Sequence, residues 1–176
     1  MHSSLRSMDQ LFDHLDQIST YMGDNPEITA FYNVDRAAAA RETTAFIKAQ
    51  KVLGSIGIAN NDVENIQLYS ARSGTLMDFN TVVLYPDRYY GTSFRMENDS
   101  YESFRVNFLQ GDKYLGCTRM QVTGSRFFYS GASLVYQLRH ISSNMSSKNN
   151  RILFYLSEEH LLDQFRSMAQ YDNFRL

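Results

Sequence analysis

The residues whose side chains could do chemistry are few and scattered. Four histidines, His2, His14, His140 and His160, fit no zinc-ligand spacing such as His-Glu-x-x-His. His2 and His14 read better as separate surface histidines than as a shared metal site. The single cysteine, Cys117, would be a nucleophile only with a base such as His140 beside it in space. It lies in an alternating stretch and reads instead as a small thiol in a strand. Glu158 and Glu159 are neighbours, and neighbouring side chains on a helix diverge, so they read as helix-start carboxylates rather than an acid–base pair. Ser73-Gly74-Thr75 lacks the Gly-x-x-x-x-Gly-Lys frame of a phosphate loop, and no Gly-x-Ser-x-Gly elbow occurs. No catalytic residue, metal ligand or cofactor is assigned. The chain reads as a protein that binds rather than converts.

Reversible binding is the chemistry that remains. The chain has 12 tyrosines and no tryptophan. Tyr69, Arg119, Tyr129, Tyr136 and Arg139 all fall on expected strands and are the candidate ligand-binding residues. Small-molecule sites are mostly apolar with a few directed polar groups. Tyrosine supplies a ring and a hydroxyl, and arginine grips a carboxylate through two parallel hydrogen bonds. The plainer reading of each is a sheet-surface residue, since tyrosine favours strands in any case.

The elements that must position these residues follow from periodicity. Leu5, Met8, Phe12, Leu15, Ile18 and Met22 recur at spacings of three and four, the stripe of an amphipathic helix. Gly23, Asn25 and Pro26 stop it, and a short helical turn is expected over Pro26 to Tyr32. Ala37 to Ile58 predicts a second long helix, weakened near its end by Gly54 and Gly57. From Val63 the period changes to two. Strands are expected over Val63–Tyr69, Thr81–Tyr85, Tyr114–Val122, Phe127–Ser130, Ser133–Ile141 and Arg151–Leu156, the last a central strand, with turns at Ser73-Gly74 and Gly124-Ser125. Asp99 to Gln110 predicts a helix capped by Asp99 with Glu102 three residues on. Ser157 is expected to cap a last helix whose stripe is Leu161, Leu162, Phe165 and Met168. Helices and strands segregate along the chain, which argues for an α+β fold with an antiparallel sheet.

The bulk composition excludes several classes. Apolar residues make up 43% of the 176, enough for a folded core. The net charge is −2, and the 17 basic residues are scattered, so the electrostatic footprint of a nucleic-acid binder is missing. One cysteine permits no internal disulfide. No stretch approaches the roughly 20 apolar residues of a membrane span, and no signal peptide opens the chain. No linker or repeat divides it; Ser142–Asn150 is a polar loop too short to be a boundary.

Four stretches together resemble one known group. Ser7–Asn33 looks like a membrane-proximal helix followed by an Asn-x-x-Ile opening, here Asn25 to Ile28. Asn60–Gly74 looks like a first strand ending in Leu-Tyr before a turn. Asp87–Gly111 resembles a tyrosine-rich segment leading to a Ser-Tyr-Glu-x-Phe helix, and Asn150–Met168 a final strand and exit helix. In this order they resemble the extracytoplasmic Cache (PAS-like) sensor region of Gram-positive AraC-type transcription regulators and related sensor histidine kinases. The resemblance spans nearly the whole chain, through loose motifs. The tryptophan usual in the middle helix is absent, and with it the amino-acid-binding signature of some double Cache sensors.

The resemblance implies a PAS-like sheet of about five strands with a long N-terminal helix. It divides residues 1–176 into N-terminal helices (1–58), a sheet with an inserted helix (60–156) and an exit helix (157–176). It implies a small-molecule ligand, a homodimer formed through the first helix, and no contact with nucleic acid by this region. It also implies an extracytoplasmic position, with membrane spans on either side of these 176 residues and a DNA-binding or kinase module beyond. A ligand-free dimerisation domain is the alternative.

Overall fold

The computed structural model describes the backbone of residues 2–59, 63–90, 94–96, 100–110, 115–124, 131–139, 150–163 and 166, and the side chains within these outside 2–7, 58, 94–96, 115–124 and 131–139. Helix α1 runs His2–Asp24. Its stripe buries Leu15, Ile18 and Met22, with Leu11 and Phe12 half-buried against the same core, while Asp13, Asp16 and Gln17 face solvent. Asn25 then caps α2, Pro26–Asn33: its side-chain oxygen accepts from the N–H groups of Glu27 (2.9 Å) and Ile28 (3.3 Å). Pro26 at the first position forfeits no intrahelical bond, and α2 buries Ile28, Phe31 and Tyr32.

The second long helix starts later than the sequence predicts. Residues 36–41 form a separate turn, and α3 spans Thr43–Ala59. The Ala38 and Ala39 N–H groups both donate to the Asp35 carbonyl (3.0 and 2.9 Å), and the Thr43 N–H turns back to Arg41 (3.0 Å). The Asp35 side chain is meanwhile tied to Arg72. These tertiary and turn bonds override the helix propensity of the four alanines. Within α3, Phe46, Ala49, Leu53 and Ile56 form the buried stripe, and the helix continues through Gly54 and Gly57.

The strands are β1 Val63–Ser70, β2 Thr75–Met77, β3 Val82–Val83, β4 Phe94–Met96, β5 Leu115–Gly124, β6 Gly131–Arg139 and β7 Arg151–Ser157. Among the described residues they form one antiparallel sheet of seven strands in the order β3-β2-β1-β7-β6-β5-β4. The architecture is α+β. The sheet exceeds the expected five strands through the short members β2, β3 and β4, which pair near its edges. β7 lies at the centre, as its continuous apolar run predicts. The strand expected over Val63–Tyr69 extends one residue further as β1, and the one expected over Ser133–Ile141 begins two residues earlier as β6, with its last two expected residues outside the described ones. Thr81–Tyr85 shortens to β3. The strand expected at Phe127–Ser130 lies outside the described residues.

The sheet has two distinct faces. Ile66 and Leu68 of β1 and Ile152, Phe154 and Leu156 of β7 pack with α1, α2 and α3 in the larger core. Leu153 and Tyr155 of β7 and Tyr69 of β1 pack on the other side, under helix α4 (Pro86–Tyr89), helix α5 (Tyr101–Phe104) and a π-helical turn, Arg105–Leu109. A register shift between Val63 and Asn65 returns Val63 to the larger core, against strand parity.

The cap of α5 is Ser100, whose hydroxyl accepts from the Ser103 N–H (3.2 Å). Asp99, the expected cap, lies outside the described residues, and Glu102 pairs with Arg105 instead of turning back to the cap. A last helix, α6, follows β7 directly over residues 158–163. The Ser157 hydroxyl accepts from the His160 N–H (3.2 Å), the cap that the sequence predicts. Leu161 is buried but Leu162 is 45% exposed, so the expected stripe is narrower at this end. Phe165 and Met168 lie outside the described residues.

Candidate functional site

The second face of the sheet gathers an unusual set of buried polar side chains. Asn65, Gln67 and Tyr69 alternate along β1, and Arg151 and Tyr155 stand opposite them on β7. The register pairs Tyr155 with Asn65, Leu153 with Gln67 and Arg151 with Tyr69. The Tyr155 hydroxyl donates to Gln67 Oε1 at 2.8 Å. Arg151 is 1% exposed; its guanidinium donates to the Asn150 carbonyl (3.1 Å), and its own carbonyl accepts from the Tyr32 hydroxyl (3.2 Å). Asn150, also buried, accepts from the Ala71 N–H at 3.0 Å, tying the start of β7 to the β1–β2 turn. Gly74 closes that turn at φ 70°, a left-handed conformation that suits glycine.

An aromatic cover lies over this face. Tyr90 stacks on Phe104 (5.3 Å between ring centroids), Phe104 stacks on Phe108 (5.6 Å), and Tyr101 lies at 5.7 Å from Tyr90. Phe104, Phe108 and Leu109 are buried with Leu76, Leu153 and Tyr155 beneath them.

Two electrostatic zones divide the face. At one end is Asp78, buried at the β2–β3 turn, where its carboxylate accepts from the N–H groups of Asn80 (2.8 Å) and Thr81 (2.7 Å). Burial raises its pKa in spite of these bonds. Burial, and then the Asp78 charge, push the Tyr89 hydroxyl up to about 12. The same two causes, with Tyr89 and Tyr90, push Tyr155 well up. At the other end burial raises the pKa of Tyr69, opposed by a hydrogen bond with the Gln110 side chain and by the positive charges of Arg105, Arg151 and Arg36. The face therefore runs from a negative corner to a positive one.

The five predicted ligand residues are distributed unevenly over this sheet. Tyr69 is buried on the second face, and the register continues from Tyr69 through Arg151 to Arg139 on β6. Tyr69 and Arg139 thus share one cross-strand row. Tyr136 pairs with Phe154, and Arg119 falls in line with Leu134 and Leu156; these are register positions of the other face. Tyr129 lies outside the described residues, as does His140, the proposed base for Cys117. Cys117 sits on β5, paired with Tyr136. His14 and His160 are exposed. Among the described residues, no three His, Cys, Asp or Glu side chains come close enough to hold a metal ion.

Sequence reasoning passed over Arg151, Asn65, Gln67 and Asp78. The signal for Arg151 is present: it opens a strand of five apolar or aromatic residues, where a cation is out of place. Asn65 and Gln67 alternate with apolar neighbours and read as solvent-facing, whereas the structure buries both.

Two clefts lie elsewhere. One of about 230 Å³ separates α3 from β1, between Gly54, Gly57, Ile66 and Phe79. A groove of about 320 Å³ runs between α1 and α3, past His14, Tyr21 and Ile56. No helix among the described residues is long and apolar enough to cross a membrane. No protein family, no curated protein and no solved structure matches the chain.

Proposed function

We propose that this chain is the extracytoplasmic ligand-sensing region, of Cache (PAS-like) type, of a membrane-bound bacterial transcription regulator of the AraC kind. A small molecule binds on the second face of the sheet and shifts the terminal helices; the chain performs no catalysis. The observation that carries this reading is the set of buried polar groups on that face, Asn65, Gln67, Tyr69, Asp78, Arg151 and Tyr155. Packing alone does not call for them, because each costs free energy unless it is hydrogen-bonded.

The connectivity supplies a route for a signal. β7 sits at the centre of the sheet and passes into α6 at Ser157 with no intervening loop. A ligand that favours one position of β7 therefore biases α6, by as much as its differential affinity and no more. In this reading α1 forms a homodimer contact along its exposed side, where Tyr21 is 58% exposed. A histidine kinase is the alternative output. A ligand-free dimerisation domain is the second reading, favoured by the stacked Tyr90, Phe104 and Phe108 that already fill the space above the sheet.

The gene on either side of these residues tests the proposal. The expected result is an apolar span of about 20 residues before and after them, with a basic helix-turn-helix module following the second. A frame with neither span sinks the sensor reading.

A further inference from the structure

The positive corner of the second face has a more specific chemistry. Four elements place polar side chains around Tyr69, whose hydroxyl feels the charges of Arg36, Arg105 and Arg151. β1 contributes Tyr69 itself, and β7 contributes Arg151 at the paired position. The π turn contributes Arg105, whose guanidinium donates to Gln110 Oε1 at 2.8 Å, so that Gln110 joins Arg105 to the Tyr69 hydroxyl. The turn between α2 and α3 contributes Arg36, whose guanidinium lies 3.9 Å from the position a Cβ would take at Gly74. Glu102 pairs with Arg105, accepting from its Nε at 3.0 Å, and so offsets one of the three positive charges. Asp35, the other carboxylate nearby in sequence, is engaged with Arg72.

We propose that this corner binds an oxyanion group, a carboxylate or a phosphate, between the Tyr69 hydroxyl and the guanidinium groups of Arg36, Arg105 and Arg151. The inference rests on the sensor reading and names the ligand class of that same face. Guanidinium forks match the planar pair of oxygens of a carboxylate or phosphate, and a phenol adds a directed donor. A half-buried position strengthens both, because water screens them less. Arg36 and Arg105 reach the corner from outside the sheet, which leaves the anion a path from solvent: Arg36 is exposed, and the Arg105 side chain is 34% exposed. Binding would draw the β1–β2 turn, the π turn and the start of β7 together, the last being the strand that leads into α6.

The test is a thermal unfolding titration of the 176-residue chain with sodium succinate and with sodium phosphate, each against sodium chloride at equal ionic strength. The expected result is a saturable rise in Tm of roughly 5 °C for at least one oxyanion at a large excess over its Kd; which salt acts distinguishes carboxylate from phosphate. Tyr69→Phe and Arg105→Gln should each weaken the half-saturating concentration about tenfold, Arg36→Gln should weaken it less, and Arg166→Gln, an exposed residue paired with Asp163, should leave it unchanged. Arg151 is left intact because its burial makes an unfolded variant a poor witness. A Tm that follows ionic strength alone, or a midpoint unmoved by Tyr69→Phe and Arg105→Gln, overturns the inference. So does equal stabilisation by the neutral diamide succinamide, although that outcome leaves the sensor reading standing.

Discussion

Tyr155 and Gln67 form a buried side-chain hydrogen bond between the two central strands, 2.8 Å long, with Gln67 3% and Tyr155 2% exposed. Such a bond is worth less for its own strength than for what its loss leaves behind. Tyr155→Phe removes the donor and strands the Gln67 carbonyl oxygen in a buried position. The expected loss is about 1–3 kcal/mol of unfolding free energy, read from urea denaturation. Gln67→Leu in the same protein removes the stranded group, and the double variant should recover most of that loss. Strict additivity of the two single changes would show that the bond is not formed in solution. Side chains of this kind were the least legible in the sequence. Asn65 and Gln67 carry no mark that separates a solvent-facing from a covered position, because strand alternation is the same in both. Tyr69, Arg119 and Tyr136 share the same signal, an aromatic or cationic residue in an expected strand, yet Tyr69 takes a register position of the second face and Arg119 and Tyr136 take positions of the other. Residue type and strand membership do not fix which face a residue occupies; the register does, and it depends on partner strands far away in sequence.

At the level of elements, the patterns that were legible are those that a single segment carries by itself. The α1 stripe, the Asn25–Pro26 junction, the central β7 and the Ser157 cap all follow from residues within one turn or one strand of each other. Elements fixed by their neighbours were not legible: β2 and β4, three residues each, are too short to show a period. The late start of α3 likewise depends on the Asp35–Arg72 tie between two distant turns. Two glycines make the contrast testable. Gly57 lies within α3, and a Cβ added there meets nothing within 4 Å. Gly57→Ala should therefore stabilise the fold by about 0.4–1 kcal/mol, by restricting the unfolded chain and improving helix propensity. Gly74 has φ +70°, and Gly74→Ala should destabilise by roughly 1–2 kcal/mol, since the left-handed region disfavours a Cβ. Chemical denaturation midpoints of the two variants should move in opposite directions. A stabilised Gly74→Ala would mean that the β1–β2 turn does not hold this conformation in solution.

The whole molecule carries an unusual load of covered phenols. Tyr32, Tyr69, Tyr89 and Tyr155 all have pKa values raised chiefly by burial, Tyr89 to about 12 and Tyr155 well above the ordinary value. They belong to both cores: Tyr32 packs with α2 in the larger one, and the other three lie on the second face. Their effect on stability has one sign. In the unfolded chain each phenol releases its proton near pH 10, while the folded chain holds it to higher pH. Between these values the folded state binds more protons than the unfolded state, so unfolding free energy falls as pH rises. Below about pH 9 both states are protonated and the phenols contribute no slope. The expected outcome is a urea midpoint that these groups leave level from pH 7 to 9 and that drops steeply from pH 10 to 12. Tyrosinate absorbance should then rise with the loss of structure rather than ahead of it. Because Tyr69 has positive neighbours that oppose its shift, it should ionise before Tyr155. Tyr69→Phe should therefore flatten the decline only near its onset, and Tyr155→Phe from its onset through its later part. Buried tyrosines that titrate near pH 10 in a chain that stays folded would contradict the covered second face, and with it the site proposed there.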